Sequence, residues 1–552
     1  MSANPMPENT QAVSWRSAFP EPMVVIAGTA LAVLVPMLFL GLPSGHDFEF
    51  HVNSWMEVVQ QWKQGIVYPR WASWAHYGFG EARFIFYPPG SWLLGALLGQ
   101  ALPWALVSAA YVWIAMVAAG FSMFFLAHRF LPPRDATFAA ALYAVNPYHL
   151  VIVYWRSAFA ELLASCLLPL LLLFVLRSEK EGKRTVVPLA VIIAAGWLAD
   201  APAAVMLSYS LALLVVILAI MRRSPRFLVY GAAAVVLGTA LVAFYVLPAA
   251  YEEKWVNITE VLSPGVRPQD NFLFTNIPDV DHNRFNLLVS LVAVAEMGLM
   301  LLVGFLARVW RKHNGLLWWT TFMWALVSGM LMLSPTLLLW QHLPKLRFVQ
   351  LPWRWLLCLN VGFALFTAMG VRRWIRRGAV CALMIAVLAG VWLKVQPPWW
   401  DSAADITEMH DNIEEGRGYE GTDEYVPTGA DAYELKQNAP QVAIEGGGRT
   451  RVNIERWATE SKVFIVGVTQ PADLVLRLFN YPAWQVEVNG HRVTAESQET
   501  TGQMIIPVAA GENRVQVAFV RTWDRRLGGI VSLIALTVIL ALAIYFDLEP
   551  PT

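Results

Sequence analysis

The chain has 552 residues, 57% of them hydrophobic and only 14% charged, with a mean hydropathy of +0.49. A soluble domain carries about a quarter charged residues, so most of this chain belongs in lipid. Forty basic against forty acidic side chains leave no formal net charge and no basic surplus for nucleic acid, and Cys166, Cys358 and Cys381, all in apolar runs, form neither a disulfide framework nor a metal-type spacing.

In chain order, a tail at 1–22 precedes the first apolar run, 23–42. That run is longer than a signal h-region, and Pro43, Ser44 and Gly45 make a poor cleavage site, so it reads as an uncleaved anchor. A polar and aromatic stretch, 43–104, follows. A spanning helix needs about 20 apolar residues. Further runs lie at 105–127, 158–177, 203–221, 228–249, 287–308, 315–336, 353–370, 377–394 and 527–546, with shorter ones at 136–150 and 185–199. About 12 spans result.

Every second connection is basic. Arg129 and Arg134 come first, then Arg177, Lys180, Lys183 and Arg184, then Arg222, Arg223 and Arg226. Arg308, Arg311 and Lys312 follow, then Arg372, Arg373, Arg376 and Arg377. The inside-positive trend puts these loops and both termini in the cytoplasm. It puts 43–104, 250–286, 338–352 and 395–526 outside. Parity then requires "PPGSWLLGALLGQALP" (88–103) to be a short re-entrant or surface helix rather than a span.

Within 395–526 the pattern changes to short alternating runs such as "SKVFIVGV" and "AWQVEVNGHRV", parted by turn residues, with Asn489-Gly490 as a two-residue hairpin turn. This predicts a small antiparallel β-sandwich. The acidic, glycine-rich 401–450 before it reads as an ordered loop over the membrane mouth or as a mobile linker. Asp423 and Glu424 there lack calcium-loop spacing, so a solvated acidic loop is the default.

"GHDFEFHVNSWMEVVQQWKQG" (45–65) carries the densest polar cluster: His46, Asp47, Glu49 and His51. As a helix over 49–64, Val52, Trp55, Met56, Val59 and Trp62 form one stripe, and the helix would lie on the membrane surface. Asp47 and His51 would then share a face. As extended chain, Asp47, Glu49 and His51 would share a side instead. Either way a carboxylate beside imidazoles suits a general base or a divalent-metal ligand. The bland reading is that Asp47 caps the helix and the histidines are solvated.

The following "YPRWASWAHYGFGEARFIFYPPGSW" (68–92) is dense in aromatics, which either line a sugar or lipid cleft or form an interfacial belt. Arg70 and Tyr87 within it join the substrate-binding candidates with His46 and His51. Arg156 either meets a lipid phosphate or pairs with Glu161. Asp200 stands in a tight turn before Pro202, as a cap for the next span or as a second acidic group at the mouth. Lys345, Arg347 and Arg354 break the inside-positive trend on the outer side, which points to an anion or to snorkelling. Glu296 lies inside a span with no local partner. No P-loop, H-E-x-x-H or G-x-S-x-G motif occurs.

The acidic cluster followed by "FYPPGSWLLGALL" resembles the GT-C superfamily of membrane glycosyltransferases, which use polyprenyl-phosphate sugars. More closely, "GHDFEFH", "GIVYPRW", "GFGEARFIFYPP", "NPYHL", "RSAFAE" and "FVQLPWRWL" resemble bacterial membrane proteins called 6-pyruvoyl-tetrahydropterin synthase-related, a group overlapping the YfhO-like proteins. The resemblance covers roughly 20–370 and continues weakly through "YPAWQVEVNG". It implies a polytopic α-helical membrane protein of the bacterial inner membrane, GT-C-like over 23–394. The outward loop would be 43–104, an acidic loop plus β domain would fill 395–526, and a last span and tail 527–552. It implies transfer of a sugar from a lipid-linked donor to a glycan, lipid or protein acceptor of the envelope. Asp47, with Glu49 beside it, would be the base or the ligand of a divalent cation (Mg or Mn). The donor phosphate would be met by Arg156, Arg347 or Arg354. Rival readings are a transporter or flippase for a lipid-linked glycan, though no inverted repeat is visible, and a non-catalytic envelope protein.

Overall fold

The computed structural model describes residues 20–448 and 450–548; most of the expected N-terminal tail, 1–19, lies outside the described residues. Among these residues, nine helices are long and apolar enough to cross a membrane, or eleven if each of two bent pairs is one span. The 41-residue stretch Phe159–Ala199 is one of the nine. Straight, it would run about 60 Å, twice the hydrocarbon core. It doubles back instead at Gly182 (φ +54), so that Ala164 near its start packs against Ala199 at its end.

Two expected spans are bent. The run at 228–249 breaks between Arg226–Leu241 and Ala243–Trp255 by 80°, and the run at 315–336 breaks between Gly315–Leu331 and Ser334–His342 by 92°. At the first break the Phe244 amide donates to Ser532 Oγ of the last helix at 2.9 Å, which replaces a lost helical bond. At the second, Pro335 has no amide hydrogen to continue the helix and starts a new turn.

The stretch between the first two spans folds into two main helices. Pro89–Ala101 has 13 residues, about 20 Å, which falls short of the bilayer core, as expected for 88–103. It lies on Phe48–Lys63 because Gly95 leaves room for an indole: a Cβ there would sit 2.2 Å from the Trp55 ring. That ring stacks on Tyr111 of the next span at 5.1 Å. The expected surface helix at 49–64 forms as Phe48–Lys63 but does not lie on a surface. His51, Asn53, Ser54, Glu57 and Gln61 are buried together with its apolar stripe. The physical reason is coverage from far along the chain, since Ala403–Glu414 packs on its other side.

Residues 442–519 form two facing antiparallel sheets. One has the strand order Val442–Ile444, Ala472–Phe479, Gln503–Val508, Glu496–Ser497. The other runs Arg451–Ala458, Ser461–Val468, Gly511–Phe519, Trp484–Val488, His491–Val493. Phe464, Val466, Val515 and Val517 of one sheet meet Leu474, Leu476 and Ile506 of the other in a common core. The alternation read from the sequence is thus that of a sandwich with one dry face per sheet. The predicted hairpin turn is present, with Asn489 and Gly490 both at positive φ (+53 and +81), as a tight primed turn requires.

Trp71, Phe79, Ala82 and Ile85 of the first loop are inserted into this same core. Trp71 and Phe79 are therefore mortar between loop and sandwich, whereas Phe84 and Trp92 pack into the helical core with Tyr68, Trp74 and Tyr87 against it, so the 68–92 aromatics form neither an open cleft nor a belt. Residues 401–448 of the expected loop fold against the rest of the chain. Trp400–Asp401 pairs with Leu42–Pro43, and Ala403–Glu414 begins in a capping box formed by Ser402 and Asp405.

Candidate functional site

The chain Pro147–Val151 is α-helical, widens into a π-turn over Ile152–Arg156, and ends at Ser157 in the left-handed region (φ +51). Such wide turns re-aim side chains. The turn is fastened to the lip of the first span: Gly45 N donates to Ser157 Oγ at 2.9 Å, Ser157 Oγ donates to Pro43 O at 2.8 Å, and Asp47 N donates to Arg156 O at 2.9 Å.

Asp47 is the N-cap of Phe48–Lys63, yet its side chain makes no capping bond. The carboxylate turns instead to Arg156, with Oδ2 3.6 Å from Nη2. Arg156 Nη1 also pairs with Glu161, and the guanidinium lies over the Trp353 ring at 4.8 Å. Glu161 is shared. Arg354 Nε donates to it at 3.1 Å and the Tyr148 hydroxyl at 2.6 Å. Arg354 Nη1 donates to Val349 O at 2.8 Å and Gln350 Oε1 at 3.3 Å, whereas Nη2 makes no hydrogen bond among the described residues. Asp47, Arg156, Glu161 and Arg354 thus form one ladder of alternating charge, buried at Arg156 and Glu161 and 40% exposed at Asp47.

The other candidates separate. Asp200 caps Ala201–Arg222 through Ala203 N at 2.9 Å, and it sits near enough to feel Arg354, Glu161 and Arg156. Arg347 is exposed, stands over the Phe348 ring at 5.1 Å and has no ion pair among the described residues, whereas Lys345 pairs with Glu253 at 3.3 Å. His51 shares the face of Asp47 but is buried among Trp55 and Phe159, with Tyr87 Oη 3.5 Å from its Nε2. Burial pushes its imidazole down to about 4, so it is a neutral core group at neutral pH. Arg70 is drawn elsewhere, over the Tyr68 ring and onto Phe244 O at 3.3 Å. Glu296 finds partners across helices: Asn360 Nδ2 at 3.2 Å and Tyr148 N at 3.3 Å.

His46 and Glu49 line a cavity of about 440 Å³ with Ser44, Gly45, Phe48, Trp399, Trp400 and Asp401. Glu49 therefore points away from Asp47 into the cavity, while His51, one turn on from Asp47 on the same face, is buried in the core, as helical and not extended spacing dictates. Among the described residues no three His, Cys, Asp or Glu side chains converge to hold a metal ion. Asp47 and Glu49 do not converge on one ion, and only Asp47 fits the kind of Mg²⁺ site that takes a single carboxylate and completes its shell with substrate phosphate and water.

Sequence reading missed two groups. Trp399, Trp400 and Asp401 were passed over as the start of a loop, although two indoles and a carboxylate directly after a span were a usable signal. A buried ionic cluster behind the site was also missed. Glu57 accepts from Gln61, Ser73 N and the Tyr419 hydroxyl. Glu81 is held by Arg83, by His76 Nε2 at 3.0 Å and by Thr422 N at 2.8 Å. Arg83 also donates to Ser54 Oγ at 2.9 Å. This cluster clamps 416–422 onto the first loop. Nothing in local sequence pairs Glu57 with Tyr419.

The fold and this lip define a polytopic α-helical membrane protein that carries a β-sandwich beside one end of its helices. A family model described as 6-pyruvoyl-tetrahydropterin synthase related domain, membrane protein, matches residues 84–397, more than half of the chain, and the chain belongs to that family. Among solved structures, the chain is similar to the arabinofuranosyltransferase AftD from Mycobacteria at 17% identity and TM-score 0.38, over 68% of this chain and 26% of that one. It is similar to the archaeal oligosaccharyltransferase AglB from Archaeoglobus fulgidus, solved with an inhibitory peptide and a dolichol-phosphate, at 14% identity and TM-score 0.39, over 74% of this chain and 57% of that one. The Archaeoglobus fulgidus oligosaccharyltransferase in complex with Zn and sulfate is similar at 14% identity and TM-score 0.35, over 73% and 53%. The chain thus spans about a quarter of the first protein and about half of the other two. Comparison with curated proteins finds no match.

Proposed function

We propose that this protein is a membrane glycosyltransferase of GT-C type. It moves a sugar from a polyprenyl-phosphate donor to an envelope acceptor on the outer side of the bacterial inner membrane. The observation that carries this reading is the ladder itself: a half-exposed carboxylate, Asp47, oriented by a buried guanidinium, with Arg354 one step further along.

In this reading the acceptor hydroxyl meets Asp47, which takes its proton as the oxygen attacks the anomeric carbon. The bond from that carbon to the phosphate oxygen breaks, and the phosphate leaves with the electron pair. Negative charge grows on the leaving oxygen, where guanidinium groups already in place stabilise it. Arg156 is committed to Asp47 and Glu161, so Arg347 and the remaining N–H groups of Arg354 are the donors for that role. Asp47 alone would offer a carboxylate to a divalent cation completed by substrate phosphate and water, which would add Lewis acidity at the phosphate; Glu49 points away, and no step above depends on the cation.

Sidedness follows from charge. Arg222 pairs with Glu179, and Arg377 with Asp135 at 2.7 Å, in the connections that the inside-positive trend puts in the cytoplasm. Counting the Phe159–Ala199 hairpin as two crossings and each bent pair as one gives twelve, with both termini cytoplasmic and the sandwich outside. The sandwich holds the acceptor or covers the site.

The test is a transfer assay with a radiolabelled polyprenyl-phosphate sugar and membrane acceptors, comparing the parent protein with Asp47→Asn. Loss of product in the variant supports the reading. Full activity removes Asp47 from its role. Vectorial movement of the lipid-linked sugar in proteoliposomes without covalent product replaces the reading with transport.

A further inference from the structure

We infer that the cavity between the Ser44–Glu49 lip and the Trp399–Asp401 strap is a subsite for an uncharged sugar ring of the acceptor. The inference rests on the glycosyltransferase reading for the word acceptor, but the recognition chemistry stands on the cavity alone.

The volume, about 440 Å³, falls in the ordinary range of ligand cavities, about 300–1,000 Å³. Its walls bring two indoles, two carboxylates and an imidazole together. The lining contains no Lys or Arg, so a phosphate or carboxylate group would face Glu49 and Asp401 uncompensated. Anionic ligands are thereby turned away from the cavity and toward the guanidinium side of the lip. A sugar ring offers what this lining lacks. Its apolar C–H face stacks on an indole, and its hydroxyls donate to carboxylate oxygens.

The strap is rigid enough to recognise shape. Ser44 N donates to Trp399 O at 3.1 Å, and Leu42 and Pro43 pair with Asp401 and Trp400 in a short antiparallel ladder. The Trp400 ring packs against Tyr154 and Trp392, each at 5.9 Å, which fixes it. Trp399 touches His46 at 5.5 Å yet remains 44% exposed, an indole held in place with a free face. His46 and Phe48, which flank Asp47 in the chain, both line the cavity, so a ring bound there sits at the entrance to the Asp47 ladder.

The test uses the full-length protein in nanodiscs and saturation-transfer NMR with methyl α-mannopyranoside, methyl β-galactopyranoside and methyl β-glucopyranoside at millimolar concentration. Binding of at least one glycoside is expected. Trp399→Ala should weaken it at least tenfold, and Asp401→Asn and Glu49→Gln several-fold, each with thermal unfolding unchanged. Trp399→Phe keeps an aromatic face and should retain measurable binding, which separates lost stacking from lost folding. The inference is overturned if none of the glycosides binds, if Trp399→Ala binds like the parent, or if spermidine competes with the glycoside for the cavity. Glycoside binding that needs Trp399, in a protein without transfer activity, would keep the subsite and remove the glycosyltransferase reading.

Discussion

Asp47 Oδ2 lies 3.6 Å from Arg156 Nη2, with the carboxylate side chain 40% exposed and the guanidinium side chain 3% exposed. One partner is wet and the other dry. The dry partner cannot move, because Glu161 and the Trp353 ring hold it on other sides. The wet partner is thereby aimed without losing access to substrate, which is the arrangement a general base needs.

Asp47→Asn should lower transfer by about 10²–10⁴-fold, the usual worth of a positioned general base. Stability should change by less than about 1 kcal/mol, since a half-exposed ion pair contributes little. Initial rates and thermal unfolding of the same preparation check both halves.

Glu161→Gln should be far more damaging to the fold. Glu161 is buried between Arg156 and Arg354, so neutralising it leaves Arg354 without its carboxylate and Arg156 with only the half-exposed Asp47, at about 3–5 kcal/mol. The unfolding temperature in detergent should fall steeply, and the double variant Glu161→Gln with Arg354→Gln should recover part of the loss.

Glu57 makes stability depend on pH. Burial pushes its carboxyl up to about 7, outweighing the Tyr419 hydroxyl, Arg83 and the other bonds that act the opposite way. The unfolded chain releases that proton near 4.5, so the folded state is favoured most below 4.5 and loses stability as pH rises toward about 7. At about 1.4 kcal/mol per pH unit the loss is roughly 3 kcal/mol. Glu57→Gln should flatten the unfolding temperature across that window. Glu81 acts in reverse: burial alone would raise it, but Arg83, His76 and Thr422 N outweigh burial and hold it at about 2, so its contribution is lost as pH falls from 4.5 toward 2.

Phe79→Ala should loosen the sandwich from the helices without unfolding the spans. Phe79 is fully buried in the sandwich core while belonging to the first loop, and truncating a buried Phe costs about 3–5 kcal/mol. Limited proteolysis should then cut within 416–445, where the parent resists.

A cysteine at position 47, in a protein freed of Cys166, Cys358 and Cys381, should react with a membrane-impermeant maleimide added outside the cell. Protection of that cysteine in a folded protein, with labelling only after lysis, would place the lip on the cytoplasmic side and end the proposed topology.

Much of the molecule was legible in one dimension. Runs such as 105–127 and 377–394 are helices long and apolar enough to cross a membrane, because about 20 apolar residues can satisfy their backbone groups in a bilayer only that way. The shortness of 88–103, the sandwich from alternating runs and the turn at Asn489-Gly490 followed from equally local rules. Asp47 and its cations were found as ionisable groups at membrane depth. The bends at Val242 and near Ser334 were not, because hydropathy counts apolar residues and is blind to where a helix turns aside.

By itself the sequence determined what each segment is: which stretches enter lipid, which alternate into sheets and which polar residues stand at the lip. Those properties depend on neighbours a few residues apart, and burial energy and hydrogen-bond geometry act there directly. Only the tertiary structure decided what each polar group faces. It turned Asp47 to Arg156, buried His51, sent Arg70 away, and closed a cavity with Trp399 and Asp401 from hundreds of residues downstream. A charged side chain takes the partner that long-range packing delivers, and no local pattern records that delivery.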